Sequence, residues 1–278
     1  MLLKFQNKHL LILLIVLNII AWSAVFYYSQ TSDMEVCFLD VGQGDSILIQ
    51  TGFNQQILID GGPDDSVIGK LEGYLPFWDR TIDLIVLTHP DKDHLFGLNE
   101  VLKNYKVKNI LWTGVISETL LYNEWLELIE DEGANIYIAK EGMKIGAIEV
   151  IYPFDDLSGR ELSDINDSSI VLKMGDDILF TGDLSTKIES LLKDIDVDIL
   201  KLGHHGSKTS TSFELLQNTS PDIAIVSAGL GNSYGHPSDE VLARLDEFAI
   251  NVLQTSKLKD ICLIQNKSEH FYLLNPTE

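Results

Sequence analysis

Basic residues are scarce in this chain. It has 20 lysines and arginines against 42 aspartates and glutamates, which gives 278 residues a formal net charge of −22. A surface of that sign repels nucleic acid at long range and leaves little counterion release to drive binding. The composition therefore argues against a tight, static DNA-binding protein. It still permits an enzyme that contacts a phosphodiester briefly.

Cysteine is also rare, since Cys37 and Cys262 are the only two. Each lies inside an apolar run, so we expect two small buried side chains rather than a disulfide. Two isolated cysteines do not make a thiolate metal cluster. A metal site in this chain would therefore use nitrogen and oxygen donors.

Lysine and arginine are absent between Lys8 and Lys70, and residues 10–28 contain only Asn18 and Ser23 as clearly polar positions. The apolar run is close to the length that spans a bilayer core. The positive charge on its N-terminal side would keep the N-terminus in the cytoplasm. The pattern predicts a single-pass protein that contacts the cytoplasmic membrane through this run.

We expect residues 1–29 to form an uncleaved signal anchor and residues 30–278 to form one domain outside the cytoplasm. A cleaved signal peptide is the alternative, because Ala21 and Ala24 offer small residues near a cleavage site. The length of the apolar run favours the anchor.

The rest of the chain alternates short apolar runs, bounded by glycine or aspartate, with segments of helical periodicity. Helices are expected near residues 66–77, 95–104 and 184–192, among others. Two halves with the same mixture of strands and helices indicate an α+β protein with two packed sheets and helices outside.

The hexapeptide HPDKDH follows an apolar run at residues 84–88, and four of its side chains can bind a metal: His89, Asp91, Asp93 and His94. Two carboxylates this close repel each other, and a divalent cation would relieve that repulsion. Imidazole and carboxylate donors suit zinc, manganese or iron. A polar surface turn is the alternative for this motif alone.

Three further loops in the second half each follow an apolar run. They contain Asp183, the segment GHHGS at residues 203–207, and His236. Taken singly, each is more often a turn or a solvated loop. However, five of the seven histidines lie in these loops and in HPDKDH, and loops at one edge of a sheet commonly assemble a site. Together they predict a metal site.

The order of these segments resembles the metallo-β-lactamase-fold hydrolases, and more narrowly the extracytoplasmic hydrolase domain of ComEC-type competence proteins. The resemblance extends from about residue 35 to 240 and depends on VGQGDS, IDGG, HPDKDH, TGD, GHHGS and YGHPS. It implies an αββα four-layer sandwich with a metal-dependent hydrolase site. Degradation of nucleic acid is proposed for that family.

The resemblance also implies roles for individual residues. Two divalent metal ions, zinc or manganese, would be bound, one by His89 and Asp91 and the other by Asp93 and His94. Asp183 would bridge them, and His236 would complete the second site. Asp93, His204 and His205 would be catalytic, although either histidine of the pair could instead be a ligand. The residues expected to contact ligands or substrate are Asp45, Asp60, Asn166, Ser169 and Ser207; for Asp45 a turn-forming role is the alternative.

The chain departs from the wider superfamily at two points. Asp91 stands where the HxHxDH motif has its middle histidine, and Asn166 begins the segment where a further histidine is expected. Fewer nitrogen donors favour manganese or a weakly held metal over a tight second zinc, and they argue against a true β-lactamase. The ComEC-type pattern shares both departures.

Three functions follow as hypotheses. The first is an outward-facing, metal-dependent phosphodiesterase or nuclease, with single-stranded DNA as candidate substrate and a separate DNA-channel protein as candidate partner. The second is a hydrolase of the same fold that acts on a thioester, lactone or lactam. The third is a binding module that keeps the fold without turnover. The oligomeric state is left open.

Overall fold

The computed structural model describes residues 2–29, 33–52, 55–265 and 271–274, and within the first helix it describes the side chains of residues 8–23. The helices in chain order are α1 Leu2–Ser29, α2 Ser66–Tyr74, α3 Lys92–Asn104, α4 Leu120–Glu132, α5 Thr186–Glu189, α6 Phe213–Thr219, α7 Asp239–Glu247 and α8 Thr255–Leu258. Two short 3-10 segments are Ile165–Ser168 and Gly203–Gly206.

The strands fall in two groups. Those of the first half and the C-terminus are β1 Glu35–Phe38, β2 Ile47–Gln50, β3 Gln56–Ile59, β4 Thr81–Val86, β5 Lys106–Trp112, β6 Asn135–Ile138, β14 Ile261–Gln265 and β15 Phe271–Leu273. The others are β7 Lys144–Ile145, β8 Ile148–Tyr152, β9 Val171–Met174, β10 Ile178–Phe180, β11 Ile199–Lys201, β12 Ile223–Val226 and β13 Asn251–Gln254.

Each group forms one mixed sheet. In the described part of the chain, the first sheet has the order β15-β14-β1-β2-β3-β4-β5-β6 and the second has the order β13-β12-β11-β10-β9-β8-β7. Strands β3 to β6 are parallel to one another, and so are β10 to β13. The carboxyl ends of each parallel set therefore lie along one edge of its sheet.

Three apolar layers show that the two sheets pack face to face with helices outside. Along β1, Val36 and Phe38 belong to the layer between the sheets, whereas Cys37 and Leu39 pack beneath the helices of the first half. A third layer lies between the second sheet and helices α5, α6 and α7. Strands buried on both faces read as continuous apolar runs, as β1 does. The predicted αββα sandwich is confirmed.

The expectation of two unpaired cysteines is wrong. Strand β14 pairs antiparallel with β1 and places Cys262 directly opposite Cys37, and the two are joined in a disulfide. Antiparallel neighbours in register bring opposite side chains close enough for such a bond. The bond links residues 225 positions apart, which no local pattern in the sequence reveals.

Helix α1 covers the segment predicted to be a membrane anchor, and its described side chains are all exposed. Among the residues that the structure describes, no helix combines the length and the apolar character that crossing a membrane requires. The end of the predicted span, residues 24–28, lies outside the described side chains. The anchor therefore stays a prediction.

Two predicted helices differ in extent. Helix α3 begins at Lys92, inside the HPDKDH motif, so Asp93 and His94 occupy its first turn rather than a preceding loop. The segment predicted at 184–192 is helical only over α5, because its first residues belong to the turn after β10 and the chain leaves the helix at Ser190.

Glycines hold the end of β3 against α3. Gly61 donates its backbone N–H to the carbonyl oxygen of His94 at 2.8 Å, and Gly97 donates to Gly62 at 3.1 Å. A Cβ atom added at Gly97 would overlap the carbonyl oxygen of Gly61. This contact places Asp60, the residue before Gly61, directly beneath His94.

We expect Gly97→Ala to lower the free energy of unfolding by roughly 1–3 kcal/mol, because the added methyl group forces β3 and α3 apart. Gly69→Ala is the matched control. Gly69 lies in α2 with open space at its Cβ position, so alanine there should be neutral or stabilising by up to about 1 kcal/mol. Denaturant unfolding of both variants measures the difference, and equal stability would contradict the packing argument.

Candidate metal centre

Asp60 is the residue from which the centre is built. It follows β3 in a left-handed conformation, with φ of 57°, and its side chain is almost fully buried. Its carboxylate accepts hydrogen bonds from the Thr88 backbone N–H at 2.9 Å, the Thr88 hydroxyl at 2.7 Å and His94 Nδ1 at 2.7 Å. Burial raises the pKa of Asp60 against the opposing effect of these bonds.

These bonds fix the orientation of two histidine rings. His94 donates from Nδ1 to Asp60, and the Thr88 hydroxyl, already donating to Asp60, can accept from His89 Nδ1 at 3.0 Å. The Nε2 atoms of both rings are thereby left buried, with no hydrogen-bond partner among the described residues. The ring centroids are 4.2 Å apart. Metal-binding histidines are typically held in this way by a carboxylate or hydroxyl on the other nitrogen.

Asp183 reaches the same space from the second sheet. It follows Gly182, whose φ of 52° and close contact with Ser169 leave no room for a side chain. The Asp183 backbone N–H donates to Ser169 Oγ at 3.0 Å. One carboxylate oxygen lies 3.4 Å from His94 Nε2, and the other is buried without a partner in the described part of the chain. Ser169 thus positions Asp183 rather than contributing a ligand atom.

The two histidines of GHHGS have different surroundings. His204 and His205 are both left-handed, with φ of 48° and 54°, an arrangement that is costly for residues other than glycine. The His205 ring is buried; Nδ1 donates to the Ser227 carbonyl at 3.0 Å, and Nε2 lies 3.1 Å from Asp93 and 3.5 Å from Asp183.

His204 turns outward. Its side chain is 29% exposed, its Nδ1 lies 3.2 Å from the Thr209 hydroxyl, and its Nε2 lies 3.9 Å from Asp183. The Thr209 hydroxyl in turn contacts the Ser207 hydroxyl at 2.9 Å. Ser207 therefore supports His204 through Thr209. His205 belongs to the buried cluster, whereas His204 lies at its solvent side.

Lys201 is a member of the centre that the sequence reasoning missed. It is the last residue of β11 and fully buried, and its ammonium donates to Asp45 at 2.7 Å and to the Leu202 carbonyl at 2.9 Å. The other Asp45 oxygen lies 3.2 Å from His205 Nδ1. The signal in the sequence was a single lysine in the otherwise apolar run 199–202. Asp45 from the first sheet and Lys201 from the second thus join the two sheets beneath His205.

The cluster holds more negative charge than its one buried ammonium balances. Burial alone would lower the pKa of His205, but Asp183, Asp45 and Asp93 raise it to about 10. Burial of the His94 ring would likewise lower its pKa, but Asp183 and Asp60 raise it well above its usual range. By contrast, burial lowers the pKa of His89 to about 3. These carboxylates stabilise a proton on the neighbouring imidazoles. A bound metal cation would balance the same negative charge.

Three predicted residues lie at the margin of the cluster. Asp91 is the N-cap of α3; its side chain is 47% exposed and lies 3.9 Å from His89 Nε2. His236 is half-buried, its ring centroid lies 5.8 Å from that of His204, and its Nδ1 is buried with no partner that the structure describes. The side-chain oxygen of Asn166 is also buried and unpaired within the described ranges.

The donor atoms fit a divalent metal. Four groups in the centre each place their ligand atoms within 4.8 Å of one another: His89, His94 and Asp183; Asp93, His94 and His205; Asp45, Asp60 and His94; and Asp45, Asp183 and His205. The unpaired, buried Nε2 atoms of His89 and His94 and the free oxygen of Asp183 face this space. Imidazole and carboxylate donors suit zinc and manganese alike. A fifth group, Glu35 with the two cysteines, is excluded because its sulfurs are bonded to each other.

Known proteins resemble this chain in sequence and in fold. Residues 39–115 match the Metallo-beta-lactamase superfamily. ComE operon protein 3 of Bacillus subtilis is 32% identical over 257 residues, which covers 83% of this chain and 33% of that protein. Competence protein ComA of Neisseria gonorrhoeae is 32% identical over 236 residues, covering 81% of this chain and 31% of that protein.

The chain thus spans about a third of the length of these competence proteins. Among solved structures, the metallo-beta-lactamase fold protein YhfI from Bacillus subtilis superposes with a TM-score of 0.54 at 14% identity, over 80% of this chain and 96% of that one. At this identity the likeness shows the fold.

We expect Lys201→Met to lower the free energy of unfolding by about 3–5 kcal/mol, because it leaves the buried Asp45 carboxylate without its cation. Lys108→Met is the matched control: Lys108 pairs with Asp83 at 2.6 Å on the surface, where such a pair contributes about 0–1 kcal/mol. Adding Asp45→Asn to Lys201→Met should recover part of the loss. Equal costs for the two lysine variants would contradict the proposed role of the buried pair.

We expect Asp183→Asn to lose most of the metal that the wild-type protein binds, because the carboxylate charge beside His89 and His94 is removed. Asp176→Asn makes the same chemical change at an exposed site and should keep wild-type metal content. Metal content per protein after dialysis, measured by mass spectrometry, gives the comparison. Full retention by Asp183→Asn would place the metal elsewhere.

Proposed function

We propose that this chain, which belongs to the metallo-beta-lactamase superfamily, is a metal-dependent phosphodiesterase that acts on single-stranded DNA. The observation that carries the proposal is the pair of buried imidazoles, His89 and His94, held by Asp60 and Thr88 with both Nε2 atoms facing Asp183. Such a centre is preorganised for a metal before any substrate arrives.

The residues that would hold two metals are His89, His94, His205, Asp93 and Asp183, with Asp91 and His236 at the open side of the cluster. When bound, such metals supply Lewis acidity toward a phosphoryl oxygen and a nucleophilic hydroxide at neutral pH. Asp91 stands where the wider superfamily has another histidine, so few nitrogen donors lie near His89. That donor set favours manganese or a weakly held metal over a tightly bound zinc.

His204 is placed to act on the substrate itself. Its ring is partly exposed and anchored by Thr209, with Nε2 directed to the Asp183 side of the centre. An N–H of this ring can donate a hydrogen bond to the negative charge that develops on phosphorus-bound oxygens, an interaction that strengthens in the transition state. His205, by contrast, is enclosed by Asp45, Asp93 and Asp183 and cannot reach bulk solvent.

Two arguments favour a phosphodiester over a thioester, lactone or lactam. The competence proteins that resemble this chain suggest a nucleic-acid substrate, although it covers only about a third of them. The carboxylate-rich centre also differs from the histidine-rich motif of β-lactamases. The net charge of −22 predicts weak binding of DNA away from the metals and therefore a transient substrate contact.

We also propose that the domain lies outside the cytoplasm, attached by residues 10–28. The disulfide between Cys37 and Cys262 supports this placement, because disulfides persist in oxidising compartments and are rare in the cytosol. The charge pattern around the apolar run supports the same orientation.

The substrate class is tested with bis-p-nitrophenyl phosphate, single-stranded DNA and nitrocefin, each with manganese or zinc. We expect cleavage of both phosphodiesters and none of nitrocefin. His204→Ala should lower the rate by about a hundredfold, or roughly 2.7 kcal/mol of transition-state stabilisation, while metal content and stability stay unchanged. His205→Ala should lower metal content and stability as well, because Asp45 and Asp93 lose their buried partner.

Wild-type rates in both histidine variants would remove these imidazoles from the mechanism. Nitrocefin hydrolysis without phosphodiester cleavage would favour the lactamase alternative. Absence of turnover on all three substrates, with metal bound, would favour a binding module.

The topology is tested by adding protease to right-side-out spheroplasts that express the full chain. We expect digestion of the folded domain and no release of mature protein into the medium. Complete protection would place the domain in the cytoplasm, and release would indicate cleavage of the N-terminal segment.

A further inference from the structure

The loop between β12 and α7 presents an aromatic side chain at the open side of the metal centre. Tyr234 is 70% exposed, and one face of its ring stacks on His236 with 5.7 Å between centroids and an angle of 22°. The His236 ring contacts His204, and His204 Nε2 lies 3.9 Å from Asp183. Two ring contacts thus connect Tyr234 to the buried cluster.

The loop is held in this shape by Asn232. Its amide donates to the carbonyl oxygens of Gly229 at 3.0 Å and His236 at 2.6 Å, and its side-chain oxygen accepts from the His236 backbone N–H at 3.0 Å. The Gly229 N–H reaches Gln43 of the first sheet at 3.3 Å. The exposed ring is therefore carried by a braced loop, so little conformational entropy is lost when a ligand stacks on it.

We propose that the free face of Tyr234 is a stacking platform for a base of single-stranded DNA, next to the phosphodiester that is cleaved. This inference rests on the proposed function and names how its substrate is held. Every base has a flat π-face, so aromatic stacking binds single strands with little sequence preference. On so acidic a protein, stacking supplies affinity that electrostatic attraction does not.

Neighbouring side chains fit the same ligand. Leu230, on the same loop, is almost fully exposed and adds apolar surface to that loop. Lys208 is exposed four residues after His204, in the segment that Ser207 and Thr209 anchor, and it can face a phosphate of the strand. An aromatic face on the loop after β12 and a cation on the loop after the neighbouring strand β11 suit a ligand in which bases and phosphates alternate.

The test compares chromogenic phosphodiesters that differ only in the base. The substrates are the 5′- and 3′-(p-nitrophenyl phosphate) esters of thymidine and of its abasic counterpart, 1,2-dideoxyribose. Each is assayed as kcat/KM with the wild-type full chain, Tyr234→Ala, Tyr234→Phe and Trp78→Ala. Trp78 is an exposed aromatic residue between α2 and β4, at the sheet edge opposite the metal centre, and serves as the control.

We expect the wild type to prefer the thymidine ester over the abasic ester by at least about fivefold on one side of the phosphate. Tyr234→Ala should lose that preference while keeping the rate on abasic esters, whereas Tyr234→Phe and Trp78→Ala should retain it. A role confined to supporting His236 would instead lower the rates on both esters equally and leave the ratio unchanged, which would overturn the platform.

A second measurement does not depend on turnover. Single-stranded DNA containing 5-iodouracil is irradiated with the protein, and the attachment site is mapped by mass spectrometry. We expect attachment at Tyr234 that is lost in Tyr234→Ala. Attachment without cleavage would support the platform and overturn the phosphodiesterase proposal; cleavage with attachment only elsewhere would overturn the platform alone.

Discussion

The hydrogen bonds of one buried carboxylate organise this protein's metal centre. Asp60 binds the backbone and hydroxyl of Thr88 together with His94 Nδ1, and Thr88 in turn contacts His89. Both imidazoles are thereby fixed with Nε2 facing the interior. The close contact between Gly61 and Gly97 holds the Asp60 carboxylate beneath His94. The packing of β3 against α3 therefore also determines the orientation of the metal ligands.

The surrounding charges explain why the site is assembled between two sheets. Asp60 and Asp45 come from the first sheet, and Asp183, Lys201 and His205 come from the second. The first sheet alone would leave its carboxylates without the ammonium of Lys201. Brought together, they are balanced by one ammonium and by imidazoles, and a metal adds the remaining positive charge. Metal binding and association of the two halves should therefore support each other.

The position of the centre suits an extended substrate. The buried ligands lie at the carboxyl ends of the parallel strands, and His204, His236 and Tyr234 continue from them toward solvent. Under the proposed function, a strand passing over this edge would meet hydrogen-bond donors at the phosphate and an aromatic face beside it. The acidic surface elsewhere would keep such a contact brief.

The sequence by itself determined the layers and the location of the site. Continuous apolar runs such as β1 require burial on both faces, and polar residues directly after β3, β4, β10 and β11 must meet where parallel strands end. Tertiary structure decided what depends on contacts distant in the chain. Cys262 finds Cys37 only because β14 pairs with β1, and Lys201 is tolerated in an apolar strand only because Asp45 lies opposite. His204 and His205 differ only through the left-handed backbone that turns one ring inward and the other outward, because a pattern of residue types carries no information about the direction of a side chain.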